Sequence, residues 1–339
     1  MLLYIILIGD PILQGEEYMK AMLITTGFIL FIGLALANDS AVETSVGGLK
    51  LIKEHSVLME KERLFISGML VRVEYVFRNT TKEPVISEVA FPIPTFQYIF
   101  EDAGGRRDFS DFRVWIDEKQ IKVDKEVRAY VGGREVTKDL RRAKIAIETF
   151  GDFDLGDSNN QIFQLQPDVR TKLVKIGALK APNKKDDSLD YWPEWKVDIK
   201  YHWRQEFPPD TAVHVKHEYR PVLGFGQVQL QNFKKEIKDT CIDTNTYNEV
   251  KRRVARNMQE RPLGNNYFGI GWVSYILTTA NTWQQPIKEF ELIVQREKNE
   301  LITFCWDGGV DKIDTTHFRA RKADFIPTKD LRIYFLKLQ

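Results

Sequence analysis

The residues best placed for metal chemistry are three histidines on neighbouring alternating runs: His202, His214 and His217. Zinc needs three or four nitrogen, sulfur or carboxylate ligands converging on one point. Side chains three apart on a strand face opposite ways, so His214 and His217 diverge. Only His202 and His214 are left to share a polar face. No cysteine or fixed carboxylate lies near them in sequence, so no metal is expected. Paired carboxylates would suit hydrolysis, but Glu206, Asp210, Glu218 and Asp307 have no spacing that makes a pair. The acidic run Asp152–Asp157 fails as a calcium loop. Counted from Asp152, the fifth and twelfth positions are Gly156 and Phe163, where an oxygen ligand and a glutamate are required. Asp307-Gly308-Gly309 reads as a tight turn, since it lacks the Lys-Ser/Thr that grips a nucleotide. No G-x-S-x-G, H-E-x-x-H or G-x-G-x-x-G motif occurs. Neither a catalytic residue nor a cofactor is expected.

Two other residue types bear on function. Cys241 and Cys305 are the only cysteines. In an oxidising compartment two such residues more often pair than stay free. A bridge would tie the loop before a helix to the strand Leu301–Trp306. The alternative is two separate thiols, with Cys305 facing a core. Among the tryptophans, Trp192, Trp195, Trp203, Trp272 and Trp306 sit mostly at alternating strand positions, which suits core packing. Trp283 sits in the loop Thr278–Pro286, where an aromatic tip can anchor a partner, and is the candidate binding residue. Asn79-Thr80-Thr81 matches a glycosylation acceptor but falls where a turn is needed.

The elements that must position these residues are mostly strands. Val71, Val73, Tyr75 and Phe77 alternate with Arg72, Glu74, Val76 and Arg78, Asn79–Pro84 turns, and Val85, Val89, Phe91 and Ile93 alternate back. Trp195–Phe207 and Val213–Tyr219 repeat the pattern on either side of Pro208-Pro209-Asp210. Each pair reads as a hairpin. Further strands are expected at residues 46–51, 57–65, 109–116, 121–127, 267–278, 290–296, 301–306, 315–320 and 331–335. Helical spacing appears at Val136–Phe150 after Thr137, a usable N-cap, at Leu165–Leu179, and at Thr244–Gln259 with Tyr247, Val250, Val254 and Met258 on one stripe. The fold class expected is mainly β: two immunoglobulin-like antiparallel β-sandwich domains, a short helical insert between them, and one helix inside the second. The boundaries expected are 38–133, 134–190 and 191–339.

Ahead of them, Met19-Lys20, the apolar run Met22–Leu36 and Ala35-Leu36-Ala37 form a signal-peptide pattern with cleavage after Ala37. The apolar run is about 15 residues, short of the roughly 20 that span a bilayer. No membrane span is therefore expected after cleavage. Residues 1–18 carry Asp10, Glu16 and Glu17 and fit no export logic, so Met19 is read as the start. With a net charge of +1 there is no strong field to draw nucleic acid, which is not expected as a partner.

The segments GGLKLIKEHSVLMEKERLFIS and VRVEYVFRNTTKEPVISEVAFPIP resemble the opening of the bacterial DUF4424 family. The resemblance continues through YHWRQEFPPDTAVHVKHEYRPVLG and YILTTANTWQQPIKEFELIV. It implies exported proteins without an established function, an immunoglobulin-like fold and no known catalytic residues. A few positions, YVFRN and FPIP, also resemble the VIT domain. The expectation is an exported periplasmic or extracellular protein, a non-catalytic binding or structural module that uses loops on its sandwiches, with a protein or glycan partner in the cell envelope. The alternative is a hydrolase acting on cell-wall or extracellular polysaccharide.

Overall fold

The computed structural model describes residues 40–45, 48–51, 55–98, 109–153, 160–182, 190–230, 241–260 and 267–337. The export segment, most of the acidic run (154–157) and the polar linker 183–187 lie outside the described residues. The chain is mainly β, with three α-helices among the described residues: Thr137–Arg142, Pro167–Lys175 and Thr244–Glu260. None of them is long and apolar enough to cross a membrane.

Alternation places side chains on faces but does not choose a strand's partner. Val71–Asn79 and Val85–Pro92 do not pair with each other. The first joins an eight-stranded sheet, where it pairs with Val57–Ile66 and Ala212–Arg220. The second joins a seven-stranded sheet beside Lys196–Phe207. Likewise Lys196–Phe207 and Ala212–Arg220 lie in different sheets. The two expected hairpins are therefore arches, each crossing from one sheet to the other. They stack side by side, with Tyr75 opposite Val215 and Phe91 opposite Tyr201. The predicted inward residues do face inward: Val71, Val73, Tyr75, Phe77, Val213, Val215, Tyr219, Val197, Ile199 and Phe207 are all buried.

This pairing also corrects the expectation of two separate sandwiches. Strands from both sides of the helical segment alternate within the same two sheets, and Ile287–Gln295 runs parallel to Val57–Ile66. One apolar core joins them, with Phe91, Trp203, Val273 and Phe290 among its members. Residues 136–179 add to that core through Val136, Leu140, Phe150 and Leu173. Thr137 is the first residue of its helix rather than the cap, and its Oγ1 accepts from the Ala129 amide at 2.9 Å.

A third sheet, of four strands, orders Gly224–Gln229, Tyr267–Tyr275, Leu331–Lys337 and Glu300–Thr303. Both its faces are covered. Val273, Tyr275, Ile333 and Phe335 belong to the main core, while Phe268, Ile270, Tyr334 and Leu336 pack with Val250 and Val254 of the last helix. Asp243 starts that helix by accepting from the amides of Asn245 and Thr246 at 2.8 and 3.0 Å.

Asn79 locks the two arches together. It continues the inward phase of Val71–Phe77 and is fully buried. Its Nδ2 donates to the carbonyls of Glu83 (2.7 Å) and Phe207 (2.9 Å), and its Oδ1 accepts from the Thr81 amide and hydroxyl, both at 2.8 Å. With its amide nitrogen buried and donating twice, Asn79 is closed to glycosylation in the folded state. Asn79→Ala would strand the buried Phe207 carbonyl, so a loss of about 3 kcal/mol is expected. Urea unfolding would measure it, and a loss below about 1 kcal/mol would contradict the clasp.

Candidate functional site

The sequence-predicted chemical residues disperse. His202 and His214 lie on strands of different sheets, so each faces out from an opposite side of the molecule. His202 Nδ1 contacts Glu88 Oε1 at 2.6 Å, and the His214 amide donates to Asp117 Oδ1 at 2.9 Å. His217 faces inward, fully buried. Its ring is edge-on to Phe91 at 4.9 Å and Trp203 at 5.3 Å, with Tyr75 and Phe112 each at 5.6 Å. No group of three or more metal-binding side chains comes together among the described residues. Beside His217 runs a buried polar chain: the Tyr275 hydroxyl donates to Glu62 Oε1 at 3.2 Å and lies 3.1 Å from the Tyr75 hydroxyl. Burial, reinforced by Tyr75 and Glu62, holds the Tyr275 pKa well above the usual phenol range.

The four carboxylates do not pair either. Glu218 is gripped by Arg72 at 2.6 Å and approached by Arg113 at 3.6 Å. Asp307 lies 3.6 Å from Lys322. Glu206 and Asp210 are exposed at other places. Cys241 and Cys305 form a disulfide, with Cα atoms 4.9 Å apart. It fastens the segment before the last helix next to the strand Glu300–Thr303.

Trp283 is not an exposed loop tip. It is 1% exposed, its ring centroid 4.6 Å from Phe77 and 6.0 Å from Phe207. A 3-10 turn at Thr278–Thr282 feeds the indole inward, and the Gln284 amide then donates to the Val57 carbonyl at 3.2 Å. The sequence showed a polar loop, but it could not show that the loop folds back over a gap between two aromatics.

The feature that sequence reasoning missed is a cleft of about 360 Å³ where the three sheets meet. Its apolar walls come from Ile93, Phe96, Phe109, Tyr219, Val222 and Trp272, and its rim from Lys196, Ser274 and Arg332. Local backbone explains the shape. Gly224 pairs with Trp272, and a Cβ on Gly224 would come within 2.0 Å of the indole. Only a glycine lets the ring lie against that strand. The Phe109 ring lies tilted against Tyr219, centroids 4.9 Å apart, and extends the aromatic surface. Tyr219 is almost fully buried and its hydroxyl finds no hydrogen-bond partner among the described residues. Burial pushes its pKa far above the usual phenol range, so the hydroxyl stays protonated. Arg332 Nε donates to Ser274 Oγ at 3.3 Å. Among the described lining residues there is no carboxylate, imidazole or thiol. What the cleft offers is therefore flat apolar surface with cations at the edge, suited to holding a ring that carries a negative group. The legible signal was Gly224-Phe225-Gly226 against Gly269-Ile270-Gly271-Trp272, two glycine-rich segments beside one tryptophan.

Solved structures share only a loose likeness with the chain. A candidate nutrient-binding protein from Legionella pneumophila aligns over 88% of this chain and 71% of its own, at 13% identity and a TM-score of 0.40. An M1 zinc metallopeptidase from Deinococcus radiodurans aligns over 84% of this chain and 43% of its own, at 7% identity and a TM-score of 0.30. The LTA4 hydrolase of yeast aligns over 83% of this chain and 28% of its own, at 8% identity and a TM-score of 0.30. No curated protein matches the chain by sequence. A family model described as a domain of unknown function matches residues 37–334, nearly the whole chain, and so the chain belongs to the DUF4424 family.

Proposed function

We propose that the chain is an exported, non-catalytic binding module of the cell envelope that holds a glycan in the cleft beside Trp272. The observation that carries this reading is the cleft itself: aromatic walls, a cationic rim and no carboxylate, imidazole or thiol among its described lining residues. Sugar rings stack on exposed aromatic faces, and Lys196 and Arg332 favour a sugar bearing a carboxylate. A volume of about 360 Å³ suits one or two rings. Export is supported by the charged start, apolar run and Ala-x-Ala order of Met19–Ala37. The disulfide accords with an oxidising compartment.

Titration of the chain with acidic oligosaccharides, followed by tryptophan fluorescence and calorimetry, tests the proposal. Trp272→Ala is expected to weaken binding about tenfold or more while lowering the unfolding free energy by only about 1 kcal/mol, because the indole is half-buried and packs only in part against the cluster of the last helix. Gly224→Val is expected to displace the ring and weaken binding similarly. Wild-type affinity in both variants would exclude the cleft. In parallel, a mature protein from the envelope fraction should begin near Asn38; full-length material in the cytosol would remove the export half of the reading.

A further inference from the structure

A second concavity, separate from the aromatic cleft, lies at the last helix. Glu249, Arg252, Arg253 and Arg256 fall at positions i, i+3, i+4 and i+7 and so share one helical stripe. Across a groove of about 650 Å³ they face Lys298, Asn299 and Glu300 at the start of one strand and Lys337 at the end of its neighbour. Five cations thus meet two carboxylates. Glu249 is already taken: Arg252 and Arg253 donate to it at 2.7–2.8 Å and hold its carboxyl below the usual range. Arg253 Nη1 also donates to the Asn299 carbonyl at 2.9 Å, which fixes the helix against the strand turn. Glu300 Oε2 accepts from the Glu297 amide at 3.0 Å. Among the described residues no ion pair engages Arg256, Lys298 or Lys337. The neighbouring Arg296 guanidinium is held below its usual range by burial and by the charge of Arg253, as a locally positive potential requires.

A basic helix face alone is usually a solvated surface. Here the cations that no described ion pair engages come from three separate segments and converge on one hollow, while one of the two acids, Glu249, is neutralised by the helix's own arginines. Such an arrangement repels cations and leaves several unused donors, which matches a multiply charged oxyanion. We propose that this groove binds a phosphate ester, with Arg256, Lys298 and Lys337 supplying its charge-assisted contacts. The phosphate is carried either by a free phosphorylated sugar or by a lipid headgroup.

Inorganic pyrophosphate, titrated calorimetrically at low ionic strength, probes the free-ligand arm. Phosphatidylcholine vesicles with and without phosphatidic acid, scored by co-sedimentation, probe the lipid arm. Pyrophosphate binding without vesicle binding assigns a soluble ligand; selective capture by phosphatidic acid vesicles assigns a headgroup. In either case R256A/K298A is expected to weaken binding at least tenfold, and adding Lys337→Ala weakens it further. All three side chains are exposed, so the fold is expected to persist. The matched variant K119A/K122A/K312A, on exposed lysines elsewhere, should bind as wild type. Trp272→Ala should likewise leave it intact, which separates this groove from the glycan cleft. Binding in neither arm, equal binding by R256A/K298A, or an equal loss in the matched variant overturns the proposal.

Discussion

Truncation of Trp283 to alanine is expected to lower the unfolding free energy by about 4 kcal/mol, the range for a large aromatic removed from a packed core. The indole fills the space between Phe77 on one sheet and Phe207 on the other. It therefore closes the end of the sandwich at the same place where Asn79 clasps the two arches. Removing it leaves a void that neither sheet can collapse into without moving an arch. The Phe variant keeps most of the apolar volume and should lose about half as much. Denaturant unfolding of the three proteins checks the series. A loss under about 1 kcal/mol for Trp283→Ala would mean that the indole is not part of the core. Because the effect is on folding, glycan binding measured well below the unfolding midpoint should be unchanged, the opposite pattern from Trp272→Ala.

Loss of the Cys241–Cys305 bridge, through serine at both positions, is expected to cost about 4 kcal/mol on the chain-entropy account of a closed loop. The separation of 64 residues makes the loop long. The consequence should also be local. Thr244–Glu260 is attached to the four-stranded sheet by few buried apolar groups, chiefly Val250 and Val254. The bridge holds the entry to this helix, so its amides should exchange faster in the double variant than those of Val71–Asn79. Calorimetry and hydrogen exchange would show both effects. An unchanged midpoint together with uniform exchange would show that packing alone holds the helix. Arg252, Arg253 and Arg256 ride on this helix, so its loosening should also weaken any anion bound in the groove.

Several features were legible because they are local. The family resemblance rested on contiguous segments. The helix at Thr244–Glu260 showed its stripe and came out within a residue of the expected span. Inward and outward faces followed from a period of two, which put His217 and Tyr219 inside beside Val213 and Val215. Other features were not legible. The pattern of Trp195–Phe207 has a polar gap at Gln205, yet Gln205 is buried in phase and accepts from Trp203 Nε1 at 3.2 Å. The loop position suggests an exposed Trp283, yet it is buried, while Trp272 packs in part against the cluster of the last helix and also lines the cleft. Exposure depends on what another part of the chain brings alongside.

The order of amino acids by itself determined where most of the longer strands and the last helix form and which side chains they turn inward, because backbone geometry repeats every two or 3.6 residues whatever lies beyond; the glycine-rich strand Gly224–Gln229 shows no such alternation and was not among them. Tertiary structure alone decided that neighbouring strands part into different sheets, that distant ones share a ladder, and that three sheets leave an aromatic cleft where they meet. Main-chain donors and acceptors are alike in every strand, so they accept many partners. The choice among partners falls to contacts distant in sequence, such as Asn79 with Phe207 and Trp283 with Phe77, which no local period encodes.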